Sequence, residues 1–263
     1  MSMFWKLVKY ELQSVRKWYL GIYGIAILLS IPLGLMLQKL IVSFEHSHKE
    51  PSLLFMAFFT LIVIATIVVW GTIYIATIVL IIKRFATSVF GREGYLSNTL
   101  PVSAHQLVLS KLFVAFILDT ISSLVVLASI GIIAAFNLDM KDILLTTSYF
   151  GQILKEMGAL YLFIPATILG TIAGILLYYL CISIGNLFNT NKILMGFVAY
   201  FAIQSILFFI GFFFGFSAAL TSNITSNSMN NLTYILGIIQ SIIIIAASYF
   251  GTYYIMTKRL NLD

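Results

Sequence analysis

One acidic residue, Asp119, lies well inside a long apolar segment of the sequence. It follows Lys111 by eight residues, which is about 12 Å along a helix. A carboxylate in such surroundings marks either a proton or ion pathway or a polar link between helices. Two interpretations stay open: Asp119 serves an ion-gradient-driven secondary transporter or channel, or its carboxylate accepts hydrogen bonds from hydroxyls such as those of Ser122 or Ser123.

A second group of polar side chains lies in the short segment 43–52, which contains Glu45, His46, His48 and Glu50. Imidazole and carboxylate groups at this spacing can ligate a transition metal. Exposed polar residues are also what a connection between two apolar helices requires. We favour the second interpretation and expect no metal site.

Signatures of catalysis are absent from the sequence. It contains no His-Glu-x-x-His, no Gly-x-Ser-x-Gly, and no Gly-x-x-x-x-Gly-Lys-Ser/Thr phosphate loop. The chain is therefore expected to carry no catalytic site and to bind no cofactor of its own. The single cysteine, Cys181, excludes an intrachain disulfide.

The composition requires most of the surface to be apolar. Of the 263 residues, 61% are hydrophobic and only 9% are charged, whereas soluble domains carry about 25% charged residues. The net charge of +6 occurs without a long Lys/Arg run, so we expect membrane lipids, and not nucleic acid, as its partner.

Six segments of the chain are long and apolar enough to cross a bilayer, which takes about 20 residues of helix. The sequence therefore predicts an all-α, six-span transmembrane helical bundle forming one domain over 1–263. The predicted spans are 19–41, 53–82, 105–136, 158–185, 193–220 and 232–257.

The basic residues are distributed unequally between the two ends of these spans. Eleven of the 15 fall at one end: Lys6, Lys9, Arg16, Lys17, Lys83, Arg84, Arg92, Lys111, Lys192, Lys258 and Arg259. The positive-inside rule then predicts that both termini are cytoplasmic.

Residues 3–18 are predicted to form an amphipathic helix at the membrane surface. Its polar residues recur every three or four positions, and an apolar face lies opposite. Tryptophan and basic side chains anchor such helices among lipid headgroups. The predicted anchors are Trp5, Lys6, Lys9, Arg16 and Trp18. A plain cytosolic lead into the first span is the alternative.

The segment 85–104 between the second and third spans is longer than a turn requires. It contains a predicted short helix near residues 85–90, glycines on both sides of Arg92-Glu93, and Ser103 placed to cap the next helix. Mixed apolar and charged residues on such a loop suit docking into a groove of another protein. A solvated connector with paired Arg92 and Glu93 is the alternative.

The sequence of this loop resembles the cytoplasmic loop of bacterial ABC transporter permeases of the type-2 exporter class. The residues that carry the resemblance are Gly91-Arg92-Glu93-Gly94-Tyr95-Leu96-Ser97-Asn98-Thr99-Leu100-Pro101-Val102-Ser103, then His105-Gln106-Leu107 and Ser110-Lys111-Leu112. The likeness in sequence is concentrated in about 25 residues, while the layout of an N-terminal helix and six spans is similar over the whole chain.

The resemblance implies a transmembrane subunit in a bacterial plasma membrane that exports a peptide, an antibiotic or another amphipathic substrate. It implies a second permease subunit, identical or different, and separate ABC ATPase subunits that bind ATP and Mg²⁺. It further implies an N-terminal elbow helix and a coupling helix, with Glu93 as the charged contact to the ATPase. The implied coupling residues are Phe90, Gly91, Arg92, Glu93, Gly94, Tyr95 and Leu96.

Two small-xxx-small patterns, Gly170–Gly174 and Gly211–Gly215, predict close approach of helices. In the resembled family the fifth span lies between two permeases, so Gly211 and Gly215 are the predicted dimer interface. Nearby Phe208, Phe212 and Phe216 are candidates for lining a substrate route, and lipid-facing packing is the alternative.

Overall fold

The computed structural model describes residues 3–46, 52–91, 104–137, 160–188, 191–220 and 226–258. Six helices account for nearly all of these residues. They are α1 (Met3–His46), α2 (Leu53–Val89), α3 (Ala104–Asn137), α4 (Leu160–Gly185), α5 (Lys192–Leu220) and α6 (Ser226–Lys258).

Each of the six helices contains a segment long and apolar enough to cross a membrane. Large apolar side chains on their surfaces are exposed, as Leu61 and Phe213 illustrate. Exposure of such apolar surfaces to water would be unfavourable, whereas lipid solvates them. The predicted six-span, all-α class is therefore confirmed, and the chain is a multi-pass membrane protein.

Several helices extend beyond the predicted spans, among them α6, which begins at Ser226 and not at the predicted residue 232. The extensions of α1 and α2 also change the predicted layout. α1 runs without interruption from Met3 to His46, so residues 3–18 are helical but continuous with the first span. α2 runs through Val89, and the predicted separate short helix near residues 85–90 is instead its last turn. Residues 14–20 of α1 and 80–89 of α2 contain neither proline nor glycine, the two residues that most disfavour a continuous helix.

The helices contribute to two compact units, one formed by residues 1–80 and 117–148 and the other by 81–116 and 149–263. In the first unit, α1 packs on α2 through a core of Tyr19, Tyr23, Ala26 and Ile73. Phe136 of α3 lies against Gly34 of α1, where an added Cβ would be only 2.7 Å from the phenyl ring.

In the second unit, α4 is the central helix. Nearly half of its most apolar segment is buried, against none for α5. Its packing against α6 is the most extensive between any two helices of the described part. α5 returns along α4 after a short connection. Asn191, just before α5, adopts a positive φ of 55°, a conformation that asparagine tolerates better than most residues.

Candidate functional site

The second unit contains an open cleft of about 450 Å³ between α4, α5 and α6. Its described lining combines small, aromatic, amide and hydroxyl side chains. These residues are Gly170, Ala173, Gly174, Leu177, Tyr178, Tyr200, Gln204, Leu207, Phe208, Gly237, Gln240, Ser241 and Ile244. This volume is within the range of pockets that bind small ligands.

Glycines create much of the space in this cleft. A Cβ built on Gly170, Gly174 or Gly237 would meet nothing within 4 Å. The prediction of a close helix contact at Gly170–Gly174 is therefore wrong for the described residues. These glycines instead form one wall of the cleft. Close approach occurs instead at Gly185, where an added Cβ would clash with the Lys192 carbonyl and lie 2.8 Å from the Gly196 nitrogen.

Polar groups in the cleft differ in how they are satisfied. The Ser241 hydroxyl donates to the Gly237 carbonyl at 2.8 Å, and the rings of Tyr178 and Tyr200 lie 5.5 Å apart. By contrast, no residue that the structure describes forms a hydrogen bond with the carboxamide of Gln204 or Gln240. The two amides thus line the cleft without a described partner, and Gln204 is exposed while Gln240 is partly buried.

A continuous apolar core lies in the same unit and joins four helices. Its buried members are Ile81, Phe85, Val89, Val108, Ala115, Ile175, Leu176, Tyr179 and Met256. Phe85 of α2 stacks on Tyr179 of α4 with ring centroids 3.9 Å apart and an interplanar angle of 8°. Both side chains are almost fully buried, so the last turns of α2 are held by α4.

The first turn of α3 is likewise held, by α6. His105 Nδ1 lies 2.6 Å from the Tyr249 hydroxyl, and the imidazole stacks on Tyr253 with centroids 4.1 Å apart. Segment 92–103 therefore lies between two packed helix ends. The end of α2 packs on α4 and the start of α3 packs on α6, and both α4 and α6 line the cleft.

Of the predicted coupling residues, Phe90 and Gly91 are described. Phe90 is partly buried against the apolar core and meets Phe85 edge to face, with centroids 6.1 Å apart. Part of the Phe90 side chain therefore packs within its own chain. Arg92, Glu93, Gly94, Tyr95 and Leu96 lie outside the described residues, as does Ser103.

The predicted interfacial anchors lie in the first turns of α1. Lys9 is exposed, whereas the side chains of Trp5, Lys6, Arg16 and Trp18 are outside the described part. The same holds for the side chains of His46 and Glu45, and residues 47–51 of the neighbouring connection are outside it altogether.

Residues predicted for α5 occupy different positions. Phe208 lines the cleft and is 66% exposed. Phe212, which is 57% exposed, lies one turn further, and its ring is 6.4 Å from that of Phe208. Gly211 has open space beside its Cα, since an added Cβ would meet nothing within 4 Å. The side chain of Phe216 and the surroundings of Gly215 are outside the described part.

Asp119 belongs to the first unit and lies near a network of hydroxyls. Tyr23 and Ser122 share a hydrogen bond of 2.7 Å, Ser122 and Thr77 one of 3.0 Å, and Tyr19 donates to Thr77 at 3.2 Å. The network links α1, α2 and α3. Its Ser122 hydroxyl is thus bonded to other hydroxyls, and the Ser123 hydroxyl donates to the backbone carbonyl of Asp119 at 3.0 Å. Asp119 itself is half-buried.

Sequence reasoning missed the cleft residues Gln204 and Gln240. A usable signal existed, because a carboxamide within an apolar span is costly unless it is hydrogen-bonded. The tyrosines of the cleft gave no such signal, since aromatic residues are spread along every span.

No family model, no curated protein and no solved structure matches the chain.

Proposed function

We propose that the protein is the transmembrane permease subunit of an ATP-driven exporter in a bacterial plasma membrane. Both termini would be cytoplasmic, and α1 would begin as an elbow helix along the membrane surface. Separate ABC ATPase subunits would bind ATP and Mg²⁺, and a second permease subunit would complete the transporter. The proposal extends the resemblance of residues 91–112 to such permeases.

One observation carries the proposal beyond that resemblance. The helix ends that bound segment 92–103 are packed into α4 and α6, through the Phe85–Tyr179 stack and the His105–Tyr249 hydrogen bond. Packed cores transmit displacement because they resist compression. A force applied to the segment by a partner would therefore reach α4 and α6, two of the three helices that line the cleft.

This arrangement suits a mechanical coupling of ATP hydrolysis to transport. Closure of two ATPase subunits would displace segment 92–103, and α4 and α6 would move against α5 in response. The cleft would then change shape, which is what release of an amphipathic cargo requires.

Co-purification provides the test. The tagged chain, extracted from its native membrane in mild detergent, should retain an ATPase that contains a phosphate loop. Glu93→Lys should abolish that association, as should deletion of residues 90–96. Glu50→Lys, a matched charge reversal in the segment predicted to face the opposite side, should leave it intact. Absence of a co-purifying ATPase, or its retention by both coupling variants, would contradict the proposal.

A second candidate function rests on the position of Asp119. The residue lies one helical turn before Ser122, whose hydroxyl belongs to the network joining three helices. A carboxylate that gains and loses a proton there would suit a secondary transporter driven by an ion gradient. Asp119→Asn should abolish transport by such a protein, and full ATP-driven transport by that variant would exclude it.

A further inference from the structure

The cleft between α4, α5 and α6 is lined by polar side chains that are uncharged. None of the described residues that line it carries a charged side chain. Its polar side chains include the carboxamides of Gln204 and Gln240, which form no hydrogen bond with a described residue. A ligand with a net charge would find no compensating charge there, and burial of that charge would be unfavourable.

Gln204 differs from its polar neighbour on α5. The Ser205 hydroxyl is satisfied within its own helix, since it donates to the Phe201 carbonyl at 2.7 Å. The Gln204 carboxamide has no described partner, although it lies twelve residues into the span that begins at Lys192. At 1.5 Å per residue this is about 18 Å, near the middle of a hydrocarbon core of about 30 Å.

Gln240 presents the same unsatisfied chemistry from another helix. It lies six residues, or about 9 Å, from the end of the α6 span at Tyr234. Lipid tails offer these amides neither donor nor acceptor, so an amide without a hydrogen-bond partner is unfavourable there. We therefore expect a ligand that occupies the cleft to form hydrogen bonds with both amides.

We propose that the cleft binds an uncharged, apolar segment of peptide through its backbone amides. A carboxamide donates two hydrogen bonds and accepts at its oxygen, so it complements a peptide group, which has one donor and one acceptor. The glycine wall gives a backbone room to approach, and Phe208 with the two tyrosines offers apolar surface to its side chains. This ligand class deepens the proposed export function and rests on it.

Binding is testable on the full chain alone, in phosphatidylcholine nanodiscs without ATPase or ATP. The probe is N-acetyl-Leu-Leu-Leu-amide with a photoreactive diazirine leucine at its centre. After irradiation, mass spectrometry should locate the label on residues of the cleft. The double variant Gln204→Leu, Gln240→Leu should bind the probe about sevenfold more weakly, because it loses two hydrogen bonds made within the membrane.

Two controls separate amide recognition from general hydrophobicity. Ser205→Ala, which removes a self-satisfied hydroxyl one residue away, should label as the unaltered chain does. An ester analogue of the probe keeps the shape but lacks N–H donors, and it should label the unaltered chain weakly. The ester comparison uses no variant, so it holds even if the double variant folds poorly.

Three results would overturn the inference: labelling spread over the lipid-facing helices, equal labelling by amide and ester probes, or unchanged labelling of a folded double variant. Disulfide-linked dimers of a Gln204→Cys, Cys181→Ala variant, together with no labelling of the cleft, would also overturn it by showing that a second copy covers the cleft. Because no ATPase is present, failure here is distinguishable from failure of the proposed ATPase association.

Discussion

At the scale of single residues, hydroxyl groups in the spans fall into two classes. Most donate to a carbonyl one turn earlier in their own helix, as Thr60, Thr66 and Ser183 do. Such bonds satisfy the hydroxyl in lipid without linking helices. The hydroxyls of Tyr19, Tyr23, Thr77 and Ser122 bond one another across α1, α2 and α3, so they contribute to tertiary structure. Thr77 also donates to the Ile73 carbonyl of its own helix.

Replacement of Ser122 by alanine should therefore destabilise the protein. It removes two interhelical hydrogen bonds and leaves the Tyr23 hydroxyl buried without that partner, so we expect a loss of about 1 kcal/mol. Ser123→Ala is the matched control, because the Ser123 hydroxyl bonds only within α3. Reversible unfolding in mixed micelles would measure both, and equal stability of the two variants would show that the network contributes nothing.

Residue types alone did not distinguish these classes in advance. Ser122 and Ser123 are adjacent and chemically identical, and the sequence placed both as candidate donors to Asp119. The helical rotation of about 100° between neighbours sends one toward other helices and the other to its own backbone. Which of the two faces the interior depends on tertiary packing, and the weak amphipathicity of a lipid-spanning helix does not reveal it.

At the scale of helices, hydropathy predicted the existence of all six and approximately where each one lies. The signal is strong because every backbone group in lipid needs an internal partner, which leaves a long apolar segment little choice but helix. The ends were harder to place, as α2 shows by continuing to Val89. Its last turn is held by Tyr179 of α4, a partner about 90 residues away that no local pattern reveals.

Glycine spacing was also a poor guide to helix contacts, because a contact depends on a partner helix that the local sequence does not reveal. Gly170 and Gly174 match the small-xxx-small pattern, but open space lies beside both, whereas Gly185 and Gly196 bring the backbones of α4 and α5 together. A pattern records only that close approach is sterically allowed. Whether it occurs depends on where the partner helix lies, here on how closely α5 returns along α4.

Gly185→Ala should consequently be among the more damaging small substitutions. Its Cβ would meet backbone atoms of Lys192 and Gly196, which cannot move aside as a side chain can, and overpacking of this kind costs about 1–3 kcal/mol. Gly170→Ala adds the same methyl group to α4 where nothing lies within 4 Å. Thermal denaturation in detergent should show a lowered Tm for the first variant alone; equal Tm values would mean that α4 and α5 are not closely packed at Gly185.

At the scale of the whole molecule, the placement of charge predicts which segments share a side of the membrane. Eleven of 15 basic residues flank the same ends of the spans, and an even number of spans returns both termini to one side. Segment 92–103 is then expected on the side of the termini, and segment 47–51 on the other. The proposed coupling to an ATPase depends on this arrangement, because ATP is available only in the cytoplasm.

Single cysteines introduced on a Cys181→Ala background test the arrangement directly. Cys181 is buried, and its replacement by alanine leaves no other thiol in the chain. A membrane-impermeant maleimide applied to intact cells should label Ser47→Cys and Ser222→Cys. It should label Ser2→Cys and Ser97→Cys only after the membrane is opened. Labelling of Ser97→Cys in intact cells would place the coupling segment outside, where no ATPase could reach it, and would contradict both the charge argument and the exporter proposal.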